Sequence, residues 1–154
     1  MEEQLLDTWR IHSRINLYIL NAIAPEAFDG AEPAKGRSFF QMFAHIHNNR
    51  LAWIQPGAPE LLTDLKKIAK DAPLERALLQ ESLTVSGTAI ETLLQKAFAS
   101  GGKIKGFKSH APAFLAYLIS HEAYHHGEIG IALNQAGYAL PKEAAYGMWE
   151  WGVR

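Results

Sequence analysis

The chain has 154 residues, 48% of them hydrophobic and 20% charged, with fifteen basic against sixteen acidic side chains and a formal net charge of -1. A length of this order suits one domain that buries roughly 70% of its unfolded surface, and the even charge balance gives no general attraction to nucleic acid or to an anionic membrane. There is no cysteine, which excludes disulfides, thiolate zinc sites and a cysteine nucleophile together. Any metal must be held by His, Asp or Glu.

The opening "MEEQLLDTWR" is acidic and lacks the apolar centre of a signal peptide, and no run of eighteen apolar residues occurs anywhere. A cytoplasmic protein with a single domain over 1-154 is the expectation. Helical periodicity dominates and strand-like alternation is nearly absent. The first helix, about Glu3 to Asn21, spaces Leu5, Leu6, Trp9, Ile15, Tyr18 and Ile19 along one side, and "PEAFDGAEPAKG" breaks it. A second helix should start at Ser38, where "SFFQ" has the Ser-x-x-Gln form of a capping box, and stop before Pro56. A short turn or helix around "PELLTDL" follows. The third long helix is predicted to open at Asp71 with Pro73 in its first turn and to stop at Gly101 and Gly102. The fourth starts near Ala111 and Pro112 and ends at Gly137. Four long helices with limited connections predict an all-α protein, a four-helix bundle. The basic link "GGKIKGFKSHA" reads as a solvated loop or a pocket rim.

Seven histidines occur in the chain, and five fall in two short stretches, at His45, His47, His121, His125 and His126. On a helix His121 and His125 lie one turn apart on one face. They share the stripe of Phe114, Leu118, Ile129, Ala132 and Ala136, where core residues are expected. Each neutral ring placed there brings a lone pair that must be satisfied away from water. A metal satisfies both, and a core hydrogen-bond network is the other solution; the pair alone leaves the two open. A third ligand would come from "AHIHNNR". His47 falls nearer the stripe of Phe40, Phe43, Leu51 and Ile54, whereas His45 has smaller neighbours, and periodicity does not choose between them. The string "HEAYH" also fits the H-E-x-x-H zinc-protease helix. Its extended form fails, because glycine is at 127 and Glu is at 128, and no edge strand is available to bind a peptide.

These motifs, "AHIHNNR" and "HEAYHHGEIGIALNQAGYALP", resemble the pattern of the DinB/YfiT-like superfamily over nearly the whole chain. That pattern is a histidine in the second helix and a His-x-x-x-His pair in the last long one. The resemblance implies an up-down-down-up four-helix bundle. It also selects His45, because Ile46, Asn49 and Trp53 follow it as an aliphatic, a polar and an aromatic residue follow the family histidine. The implied metal ligands are therefore His45, His121 and His125, with His126 standing where relatives often carry arginine. Gly127 looks like the family glycine that permits a close approach.

Three neutral imidazoles leave an ion with open positions, as catalytic sites do. Zinc or nickel would suit, since nitrogen ligation alone does not separate them. Relatives that use mycothiol or bacillithiol imply a low-molecular-weight thiol and a small-molecule substrate, with S-transfer or hydrolysis as the reaction. The resemblance further implies a homodimer. The alternative function is a non-catalytic, metal-containing protein associated with stress or damage, and a third reading has the histidines only packing. Asn49 and Glu128 are expected beside the ligands, and Glu122 exposed or beside them. Tyr18, Arg50 and Tyr124 are expected to pack, with pocket lining as the other reading. The aromatic tail "YGMWEWGVR" could cover the bundle's end, line a pocket or meet a second copy.

Overall fold

The computed structural model describes residues 1-30 and 35-154, so Pro33 of the expected break after the first helix lies outside the described residues. Among the described residues six α-helices follow one another: α1 (Glu2–Ala22), α2 (Ala27–Gly30), α3 (Phe39–Ile54), α4 (Arg76–Ala99), α5 (Ala111–Gln135) and α6 (Lys142–Gly147). The four long ones form the bundle, and among the described residues no helix is long and apolar enough to cross a membrane.

Local chemistry sets the helix ends. Both arms of the capping box are made at α3, with Gln41 N donating to Ser38 Oγ at 3.2 Å and Ser38 N to Gln41 Oε1 at 3.1 Å. At α5 Pro112 sits in the first turn, and His110 Nδ1 accepts from the Ala113 amide at 3.1 Å. Gly137, at φ +82°, supplies the left-handed residue that follows the helix. One boundary differs from the sequence reading: α4 begins at Arg76 and not at Asp71. Pro73 disfavours helical backbone in the residue before it, and Glu75 is extended at φ -111°, ψ 130°. Arg76 has a different task at this end. Its guanidinium donates to the carbonyls of Leu20, Asn21 and Ile23 at 2.7, 3.0 and 2.5 Å, satisfying the open end of α1.

Paired contacts give the topology. Trp9 Nε1 donates to Gly87 O at 2.9 Å and Arg10 pairs with Glu91 at 2.7 Å, while Arg76 reaches Leu20, so α1 and α4 run antiparallel. His47 meets Ser82 O and Arg50 meets Leu83 O, so α3 and α4 run parallel. Arg50 meets Glu122 while Trp53 packs on Phe114, so α3 and α5 run antiparallel. The bundle is therefore up-down-down-up. A parallel α3–α4 pair requires a return crossing, which residues 55-75 make with a 3-10 turn at Pro59–Leu62. Asn48 clamps that crossing to α3: its Nδ2 donates to Ile68 O at 3.0 Å, and Ile68 N donates to its Oδ1 at 2.9 Å.

The apolar interior has two clusters. One holds Ile15, Ile19, Phe40, Phe43, Leu83 and Ile129, and the other holds Leu6, Trp9, Ile54, Ile90, Phe114 and Leu118. On each long helix the buried polar positions fall between them: His12 and Asn16 on α1, His47 and Arg50 on α3, Ser82 and Ser86 on α4, Glu122 and His125 on α5. At the centre Arg50 and Glu122, both wholly buried, pair fork to fork, with Nε to Oε1 and Nη2 to Oε2 both at 2.7 Å. Arg50 Nη1 donates to Leu83 O at 3.0 Å, and its guanidinium lies 5.0 Å from the Trp9 ring centroid. Glu122 Oε2 also receives His12 Nε2 at 2.8 Å and Asn16 Nδ2 at 3.0 Å. Among the described residues no sealed side-chain nitrogen or oxygen lacks a partner. Gly87 leaves the room this layer needs, since a Cβ there would overlap the Ser13 hydroxyl and press on Arg50.

Burial alone would raise the Glu122 pKa, but the charge and hydrogen bonds of Arg50, with His12, hold it well below the ordinary 4.5. The folded carboxylate thus binds protons less readily than the unfolded one. Its stabilisation is complete above about pH 4.5 and is lost as pH falls from there toward the folded pKa. Glu122→Gln leaves Arg50 buried without its countercharge and should cost about 3–5 kcal/mol at pH 7. Urea titrations at pH 7 and pH 3.5 check both statements: the wild type should lose stability on acidification and the variant much less. An equal loss in the two would place the acid-sensitive group elsewhere.

Candidate metal centre

The antiparallel α3 and α5, pinned by Arg50 and Glu122, bring His45 against the face of α5 that carries His121 and His125. One ring nitrogen from each of the three lies within 4.8 Å of the others. His121 Nε2 and His125 Nε2 are 3.2 Å apart, and the His45 ring centroid stands 5.4 Å from that of His121 and 4.8 Å from that of His125. Two nitrogens each about 2.0–2.1 Å from a tetrahedral ion lie roughly 3.4 Å apart. The donor set fits a divalent ion after a small side-chain movement.

Neighbouring groups orient the rings. Glu128 Oε2 lies 2.6 Å from His125 Nδ1 and accepts its proton, so that in the neutral ring the lone pair is on Nε2. Asn49 presents its amide nitrogen 3.4 Å from His121 Nδ1, so that His121 Nε2–H faces His125 Nε2. Turning the amide over would present its oxygen instead, move the His121 proton to Nδ1 and expose the Nε2 lone pair for a metal. Burial, the positive Arg37 and the two other histidines push the His45 pKa down to about 4. Burial and His125 also push that of His121 down. Both rings are thus held in the neutral form that ligates.

The centre has one apolar and one polar flank. Tyr117 stacks on His121 with centroids 6.1 Å apart, and behind it Trp53, Phe107 and Phe114 pack edge to face. Phe107 comes from the link after α4, whose Ile104 is buried. That link therefore closes the bundle's end beside His121 and is not simply a solvated loop. On the other flank a cavity of about 330 Å³ reaches His45 and is lined by Arg37, Gln41, Asn48, Ile68 and Lys70.

Comparison with protein families matches residues 1–151 to the DinB family. The chain belongs to the DinB family. No curated protein and no solved structure matches it.

Within this DinB chain the two histidines of α3 have separate places. His47, left open against His45 by periodicity, is buried with Nδ1 2.9 Å from Ser82 O and Nε2 2.9 Å from Lys66 O. It ties α3 to α4 and to the crossing, and burial pushes its pKa down although the two carbonyls act the other way. His126 stands apart from the cluster, its Nε2 2.9 Å from Asn16 Oδ1. Burial, and then the nearby His12, lower its pKa to about 3. Tyr124 is 66% exposed with its edge near His125, and Tyr18 lies under the Arg154 guanidinium, 3.9 Å from ring centroid to Cζ.

Two expectations are corrected. Glu122, expected exposed or beside a ligand, is sealed in the ion pair with Arg50, so it is also unavailable as the base of a zinc protease. Gly127 makes no close approach, since a Cβ built there meets nothing within 4 Å. His12 and Asn16, which hold Glu122 from α1, were not singled out from the sequence at all. Their signal was two polar residues at i and i+4 falling in the stripe of Trp9, Ile15 and Ile19.

Because Gly127 is helical, exposed and uncrowded, Gly127→Ala should stabilise the fold by about 0.5–1 kcal/mol through helix propensity. Metal content should stay that of the wild type. Thermal unfolding checks this, and a lowered Tm would reinstate a packing role for the glycine.

Proposed function

We propose that His45, His121 and His125 hold one divalent ion, zinc or nickel, and that this DinB-family protein is a metal-dependent enzyme of small molecules. The reaction class is S-transfer from a low-molecular-weight thiol, with hydrolysis by water as the other form of the same chemistry. The observation that carries the reading is the convergence of three imidazoles from two helices, with His45 and His121 held in the neutral form. Among the described residues the cluster contains no fourth protein ligand, which is the composition of an open site and not a closed structural one. When bound, a divalent ion would lower the pKa of a thiol or water brought to it and so supply a nucleophile at neutral pH.

The chain's own residues do the rest. Glu128 orients His125 through Nδ1, and Asn49, with its amide turned over, would hold the His121 proton on Nδ1 and free Nε2 for the ion. Arg37 and Lys70, both exposed on the rim of the cavity that reaches His45, would attract a carboxylate on the thiol or on its acceptor. Gln41 and Asn48 on the same wall offer amide hydrogen bonds to the substrate's polar groups.

The test is metal titration of the purified protein alongside His45→Ala, His125→Ala and His47→Ala. One ion per chain should be lost with the first two and kept with the third. Glu128→Gln should retain the ion with affinity weakened by about 10–100-fold. Stoichiometric metal in His125→Ala would remove the assignment. A loaded protein that accelerated neither thiol transfer nor hydrolysis over a broad panel would leave the alternative, a metal-containing binding protein.

A further inference from the structure

A second cavity lies apart from the histidine cluster. It has a volume of about 590 Å³ and lies between α1 and α5, bounded at one side by the segment from Leu140 to Trp151. Ala123, Gly127 and Gly130 of α5 line it, and on a 3.6-residue helix they lie on the face opposite His121 and His125. The body of α5, about 10 Å across, therefore separates this cavity from the metal centre. Its size is that of a small-molecule pocket.

The walls are mostly apolar, from Ile15, Ile119, Leu140, Met148, Trp149 and Trp151, with the Asn134 amide among them. A Cβ added at Gly127 or Gly130 would meet nothing within 4 Å, so these two positions leave the space open without serving any contact within the chain. The floor is different in kind. His12 and His126 line the cavity side by side, with ring centroids 5.7 Å apart and planes inclined by 29°. His12 is 2% exposed, yet only its Nε2 is engaged, by Glu122 Oε2 at 2.8 Å. Every sealed side-chain nitrogen or oxygen among the described residues has a partner, and His12 Nδ1 has none, so Nδ1 opens onto the cavity.

The hydrogen-bond network decides what that atom offers. The Glu122 carboxylate can only accept, so His12 Nε2 carries a proton, and whenever the ring is neutral its Nδ1 is a bare lone pair. Asn16 Nδ2 donates to Glu122 Oε2 at 3.0 Å and to His12 O at 3.1 Å, which turns its Oδ1 toward His126. His126 Nε2 donates to that oxygen at 2.9 Å, and its Nδ1 too is left as an acceptor. A mostly apolar chamber thus ends in two imidazole nitrogens that make no hydrogen bond among the described residues.

We propose that this cavity is a second ligand site, distinct from the metal centre, for a neutral and largely apolar or aromatic small molecule that presents a hydroxyl or N–H donor to His12 and His126. Phenol-like and indole-like compounds have this chemistry. The ring would lie among Ile119, Met148 and Trp149, and its donor would satisfy the floor.

Calorimetric titration of the metal-loaded protein with 2-naphthol and with indole, each against its O- or N-methylated twin, tests the proposal. Tryptophan fluorescence gives a second readout from Trp149 and Trp151. At least one donor compound should bind one to a chain, about tenfold or more tightly than its methylated twin, because methylation leaves a buried acceptor unpaired. Gly130→Leu should fill the chamber and abolish that binding while metal content stays unchanged. Equal affinity for both members of each pair, or no saturable binding by either donor, would overturn the proposal. So would a Gly130→Leu variant that binds as the wild type does. Sedimentation of the two proteins covers the remaining occupant: a dimer that Gly130→Leu dissociates, with no small molecule bound, would make the cavity a contact between copies and end the proposal.

Discussion

A single buried ion pair sets the geometry on which the rest depends. Arg50 lies five residues after His45 on α3, and Glu122 directly follows His121 on α5, so the fork-to-fork contact fixes the register in which the histidines meet. A slip of either helix would strand two wholly buried charges, at a cost larger than the loss of ordinary packing contacts. Apolar seams alone tolerate such slips far better. The pair therefore acts as the register key of the bundle, and the three-histidine cluster inherits its spacing.

The same layer explains why the core is divided. His12, Asn16, Arg50, Ser86 and Glu122 form a polar belt, with apolar side chains above and below it. Its members satisfy one another across α1, α3, α4 and α5, so the belt is compatible with a folded interior. It also reaches both faces of α5. Toward α3 it stands next to the metal centre, and toward α1 it supplies the polar floor of the larger cavity. One helix thus carries two chemically different environments back to back: a cluster of imidazoles beside a cation-rimmed polar pocket, and a mostly apolar chamber with two further histidines in its lining.

Much of this was legible in the sequence, and the failures share a cause. The 3.6 periodicity, the Ser38 capping box and the glycine and proline stops place the four long helices, because these are local signals. The first turn of α4 begins five residues later than the sequence reading places it: the chain is still extended at Glu75, and Arg76 is then tied to α1 carbonyls that no local pattern announces. His45 was separable from His47 only through family resemblance, because the deciding contacts of His47, to Ser82 and Lys66, are distant in sequence. Glu122 was misread for the same reason. A lone glutamate on an apolar face looks anomalous until Arg50 arrives from another helix. Gly127 erred in the opposite direction: glycine suggests closeness, but here it borders open space.

The most direct measurement is X-ray absorption at the metal edge of the zinc- or nickel-loaded protein. Three imidazole rings bound through nitrogen, together with light atoms not contributed by the chain, are the predicted surroundings of the ion, at about 2.0–2.1 Å. One imidazole should be lost from that pattern in His45→Ala and none in His47→Ala. A spectrum with fewer than three imidazoles in the wild type, or one unchanged by His45→Ala, would contradict the centre assigned to α3 and α5.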